Sequence, residues 1–181
     1  MTVTSVFGWK SAKLNTRTIA GLAMLAAVYV VLNAFSISLS STLEIRFSFL
    51  ALALSCALYG FWPNLVFAFV VDLLGWVVHP SGAYVPLFAL VLMVKAFIYA
   101  MSFYGKDKIS IPRIVVTQFL VCLICNVLLN PLLLTMMYNM PYWALVASRI
   151  VKNLCMFPIE CVVLYLAFRL LPAARTRMAK N

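Results

Sequence analysis

From about Thr18 to Pro172 the chain passes through six apolar runs separated by short polar breaks. A membrane helix needs about 20 mostly apolar residues. Of the 181 residues, 66% are hydrophobic and 10% are charged, where a soluble domain carries about 25% charge. A soluble fold cannot hide that much apolar surface, so the expected fold is an all-α membrane domain of six transmembrane helices. Residues 1–181 then make one embedded unit, with a 1–17 segment before the first span and a basic 173–181 tail.

The runs extend from about Thr18 to Phe35, Arg46 to Trp62, Leu65 to Val78, Tyr84 to Tyr104, Arg113 to Tyr138, and from after Pro141 to near Pro172. Pro63-Asn64, His79-Pro80-Ser81-Gly82 and Asn139-Met140-Pro141 are the turn signals between them. The start of the chain lacks the basic, apolar and small-residue order of a signal peptide, so the first run reads as a retained span.

The net charge of +10 follows the membrane rather than nucleic acid. Lys10, Lys13, Arg17, Lys106, Lys108, Arg113, Arg169, Arg175, Arg177 and Lys180 all fall on one side of a six-span chain. The positive-inside rule makes that side, and both termini, cytoplasmic. The remaining basic residues are Arg46, Lys95, Arg149 and Lys152. A Lys or Arg at the centre of a membrane helix costs about 2.5–3.5 kcal/mol on insertion scales, so each needs a partner, water or an anion.

Arg149, Lys152 and Asn153 stand at i, i+3 and i+4 and form one polar helical face. Asn126 and Asn130 do the same on the fifth run. Lys95 and Asp72 lie near the middle of the fourth and third, and Arg46 opens the second. These depths fit one outward-opening polar pocket, with Trp76, Tyr84, Tyr138 and Tyr142 as rim candidates. Asp72 either holds a lysine or meets the ligand. Glu160, eleven residues past Arg149 and next to Pro158, is expected to reach toward the inner interface. Surplus positive charge then selects an anionic ligand, a small carboxylate above all.

Enzymatic chemistry finds no foothold. The chain has no G-x-x-x-x-G-K-[ST] phosphate loop, a single histidine and no nucleophile–base arrangement, so no catalytic group, metal or cofactor is expected. Cys122-x-x-Cys125 and the other three cysteines lie in apolar runs and read as small hydrophobes. Ala20, Gly21, Ala23, Ala26 and Ala27 make the first helix small-sided, with Ala23-x-x-x-Ala27 suited to close approach by another membrane helix. A self-sufficient proton-coupled carrier, titrating at Asp72 or Glu160, is the competing class.

FSFLALALSCALYG from Phe47 and VVDLLGWVVHPSGAYVPLFAL from Val70 resemble the substrate-binding S components of energy-coupling factor (ECF) vitamin transporters, specifically the folate family. SRIVKNLCMFPIECVVLYL from Ser148 is similar to that family's last helix, and Asn126 to Tyr138 to its fifth. The resemblance implies capture of a water-soluble B vitamin from outside a bacterial plasma membrane. It also implies docking through Ala23 and Ala27 onto a transmembrane T subunit, energised by two ATPase subunits. The chain departs from the family at Lys95, where a small residue is usual, and at Asn153, often acidic. Asn offers one acceptor oxygen where a carboxylate offers two, and the added lysine suits a compact carboxylate. Folate is the vitamin the resemblance implies, and the departures at Lys95 and Asn153 make pantothenate or another small carboxylate vitamin the alternative.

Overall fold

The computed structural model describes residues 15–35, 37–40, 43–45, 47–78, 85–106, 109–138 and 141–179. Helix α1 (Thr16–Ala34) leads into an antiparallel hairpin, β1 (Ile37–Ser40) and β2 (Leu43–Ile45), that pairs Ile37 with Ile45 and Ser38 with Glu44. The bundle is helical as expected, and the hairpin is an addition to it. The alternation in Ile37-Ser-Leu-Ser and Leu43-Glu-Ile is the period-2 signal of a strand.

Helices α2 (Phe49–Tyr59) and α3 (Phe61–Val78) follow, joined at Gly60 alone. The break thus falls three residues before the expected Pro63-Asn64. Gly60 has φ 79°, a conformation only glycine adopts cheaply. Pro63 instead sits in the first turn of α3, where its missing N–H has no helical partner to lose. The Asn64 side chain secures the corner. Its Nδ2 donates to the Gly60 carbonyl at 2.6 Å and the Ser55 carbonyl at 2.9 Å, and the residue is wholly buried. Asn64→Leu removes both bonds and should cost about 2 kcal/mol, by the price of stranded polar groups. A lower thermal midpoint of the purified protein in detergent checks this.

Helix α4 (Leu87–Phe103) and α5 (Ile111–Val121) come next. From α5 the chain continues without a break through a π-helical stretch, Cys122–Leu129, into α6 (Asn130–Tyr138). The last helix, α7, runs from Tyr142 to Ala179 and passes both Pro158 and Pro172. The sequence led us to expect its end near Pro172. One missing hydrogen bond does not stop a helix whose next residues, Ala173, Ala174, Arg175 and Met178 among them, are strong helix formers.

Among the described residues, four stretches are long and apolar enough to cross a bilayer: α1, α3, Ile111–Met136 and Tyr142–Arg169. Helices α2 and α4 are apolar but shorter, at 11 and 17 residues. Valines and phenylalanines such as Val66, Phe69, Val116, Phe119 and Val162 point outward, as a lipid-facing surface requires.

Helix α4 is central. It packs against α2, α3, α5, the π stretch and α6, while α7 packs against α2, α5, the π stretch and α6. Ala51, Ala53, Ala57, Ala68, Ala96 and Ala100 are fully buried and let these backbones come close. Tyr99 stacks on Phe103, whose ring meets Phe168 of α7 at 4.6 Å. Helix α1 stands at the edge, against α2 and α3. Near its ends it is pinned by close approaches: Gly21 lies under the Tyr59 hydroxyl, and Asn33 Nδ2 donates to the Gly75 carbonyl at 3.5 Å.

Candidate functional site

The polar face of α7 turns inward. Asn153 is only 7% exposed and Arg149 and Lys152 are half-buried, whereas Val151 and Leu154 between and beside them are 65% and 75% exposed. The 3–4 spacing places the three polar groups on one side of the rod, and packing against the π stretch and α6 covers that side. Asn126, on the π stretch, donates from Nδ2 to Asn153 Oδ1 at 3.4 Å. Asn153 Nδ2 is buried and makes no hydrogen bond within the described residues.

Two turns further along α7, Glu160 departs from expectation. It lies seven residues beyond Asn153 and hence on nearly the same face, so it points into the bundle rather than toward the inner interface. Gln118 Nε2 of α5 donates to its Oε2, and Tyr99 Oη of α4 donates to Gln118 Oε1 at 2.9 Å. Tyr99 and Gln118 are almost fully buried. This chain of hydrogen bonds ties α4, α5 and α7 together at one level. A buried carboxylate held this way avoids the penalty of an unmade bond.

Lys95 stands one turn from Tyr99 on α4, within electrostatic reach of Glu160 and near Cys122 and Cys125. Lys152 is also within electrostatic reach of Glu160. The inner carboxylate therefore offsets part of the charge that the sequence left unbalanced. Asn126, Lys152 and Asn153 gather where the π stretch and α7 meet. Lys95 stands on α4, which packs against the π stretch, and Arg149 lies one turn before Asn153 on α7. Asn130 opens α6 next to them, half-buried.

Other sequence candidates lie on other elements. Asp72 and Trp76 are half-buried on α3, which packs against α1, α2 and α4. Arg46 and Tyr84 lie outside the described residues, as does His79. Ala23 and Ala27 are exposed on α1. Sequence reading missed Gln118 and Tyr99; a glutamine inside an apolar run was the available signal. Among the described residues no cluster of His, Cys, Asp and Glu is arranged to hold a metal, and all five cysteines are free thiols, Cys155 being exposed.

Removing the Lys95 charge tests its place in this cluster. Lys95→Met should weaken a carboxylate ligand by more than about tenfold, since losing one partner of a buried charge pair costs about 2 kcal/mol or more. An unchanged dissociation constant in a calorimetric titration would leave Lys95 as Glu160's structural companion.

Residues 17–168 match the family model described as "ECF transporter, substrate-specific component". The chain belongs to the substrate-specific components of ECF transporters. This S component is 34% identical over 162 residues to the folate transporter FolT of Leuconostoc mesenteroides, covering 87% of each chain. It is 29% identical over 149 residues to the folate transporter FolT of Clostridium novyi, covering 82% of this chain and 86% of that one. Among solved structures, a FolT crystal structure with folic acid bound superimposes with a TM-score of 0.77 at 28% identity. That match covers 83% of this S component and 92% of the other chain. Proteins of this family are substrate-binding transport subunits, which agrees with the lack of catalytic groupings in the sequence.

Proposed function

We propose that this S component captures folate at the outer face of a bacterial plasma membrane and delivers it through an ECF transporter. The observation that carries the reading is the 34% identity, over most of both chains, to a protein named as a folate transporter. The superposition on a FolT structure holding folic acid supports it. Folate ends in a glutamate with two carboxylates, and cations on α7 and α4 supply matching charge from Arg149, Lys152 and Lys95. Asn126, Asn130 and Asn153 offer hydrogen bonds to the uncharged parts of the vitamin. Arg46, Asp72, Trp76 and Tyr84 complete the proposed set of binding residues. The named relatives weigh against pantothenate, for which Lys95 and Asn153 alone had argued.

In this reading the chain makes six membrane passes with both termini in the cytoplasm, because that arrangement puts the basic loops inside. ATP is hydrolysed by two partner ATPases, and a transmembrane T subunit docks on Ala23 and Ala27. Purified protein titrated by calorimetry with folate, pantothenate and other B vitamins tests the substrate. Tight binding of folate alone is the expected result. Preference for pantothenate, or no response to folate, would overturn the assignment.

A further inference from the structure

Eight residues separate Gln118 from Asn126. At about 100° per residue, a regular α-helix would leave their side chains about 80° apart around the rod. Yet both reach α7, Gln118 at Glu160 and Asn126 at Asn153. Those two acceptors are seven residues apart and share a face to within about 20°. The π turn between them, holding about one residue more than an α turn, absorbs the difference. It brings Asn126 round above Gln118. The Asn130 N–H donates to the Cys125 carbonyl, five residues back, and closes the wide turn.

The cause stands one residue further along. Pro131 has no N–H, and in a regular α-helix its ring collides with the carbonyl four residues back, that of Val127. Pro131 is fully buried, so packing around it resists a kink toward lipid. Widening the preceding turns relieves the collision. The result at α7 is specific: Asn153 Oδ1 is occupied by Asn126, and Asn153 Nδ2, buried, has no acceptor within the described residues. A buried donor in this state awaits a bound acceptor.

We propose that Pro131 is a positioning residue for the vitamin. By holding Cys122–Leu129 in the π register it turns Asn126 onto Asn153 Oδ1, leaving Asn153 Nδ2 as a donor for a carbonyl oxygen or ring nitrogen of the ligand. The proposal rests on the folate reading for the identity of that ligand. In folate titrations, Pro131→Ala and Asn126→Ala should each weaken binding by about tenfold, the loss of about one hydrogen bond. The double variant should show no further loss, because both changes break one contact. Unchanged affinity in Pro131→Ala, or losses that add, would overturn it. A crystal structure of ligand-free Pro131→Ala should show an α-helix through residues 122–129 with Asn126 turned off Asn153. A retained π turn would overturn the proposal whatever vitamin binds. If the wild-type protein ignores folate, the folate reading falls while that structure still decides on Pro131. Should Pro131→Ala fail to fold, combining it with deletion of Val127 removes both the proline and the extra residue and keeps both flanks in register, and the same tenfold loss is expected. Unchanged affinity in the deletion would overturn the proposal.

Discussion

Arg149→Ala is expected to lower folate affinity by about a hundredfold, within the range of about 2–5 kcal/mol for removing one member of a buried charge pair. Arg149 is half-buried on the inward face of α7, one turn from Asn153, so in the proposed site its guanidinium would meet the ligand where water competes poorly. A guanidinium forms two parallel hydrogen bonds with a carboxylate, and an ammonium cannot. Arg149→Lys should therefore recover only part of the loss. The informative control is a pterin without the glutamate tail. Calorimetry should find its affinity nearly unchanged in Arg149→Ala. Equal losses for pterin and folate would mean that Arg149 holds the bundle rather than the vitamin's carboxylates.

Ala23→Trp and Ala27→Trp should each reduce ATP-driven folate uptake by more than about tenfold without altering the dissociation constant. Helix α1 packs against α2 and α3 and leaves Ala23 and Ala27 exposed. Association of membrane helices depends on close backbone approach, because lipid offers no hydrophobic drive. An indole on this face forces a docking helix away. Uptake of labelled folate by cells carrying the partner subunits measures the first quantity, and calorimetry on the lone S component the second. Wild-type uptake in both variants would remove this face from the proposed docking surface.

What the sequence revealed follows the range of the forces involved. The polar face at Arg149, Lys152 and Asn153 was legible because three- and four-residue spacing is a local property of any helix. The small residues of α1 were legible for the same reason. The corner at Gly60 was misplaced because proline and asparagine are stronger breaker signals than one glycine, although glycine alone accepts φ 79°. Glu160 was turned the wrong way because its hydrogen-bond partner, Gln118, is 42 residues distant and belongs to another helix. The π stretch was illegible for a related reason. Pro131 marks a place where an α-helix is in conflict, but whether the rod kinks or widens depends on what packs around it. Lys95 was read as a ligand group, and its electrostatic contact with Glu160 emerges only when α4 and α7 are brought together.

The shortness of α2 bears on where a vitamin can sit. From the Gly60 corner α3 rises for 18 residues, about 27 Å, while α2 retreats beside it for 11 residues, about 17 Å. Helix α2 packs against α1, α3, α4 and α7, and the last ~10 Å of α3 extends past its first residue, Phe49. Asp72 and Trp76 belong to that final third of α3. Measured from their own helix ends, Arg149 on α7 and Lys95 on α4 lie about 10–12 Å down. Counted from the ends of their own helices, Asp72, Lys95 and Arg149 thus lie at similar depths, although 77 positions separate the first from the last.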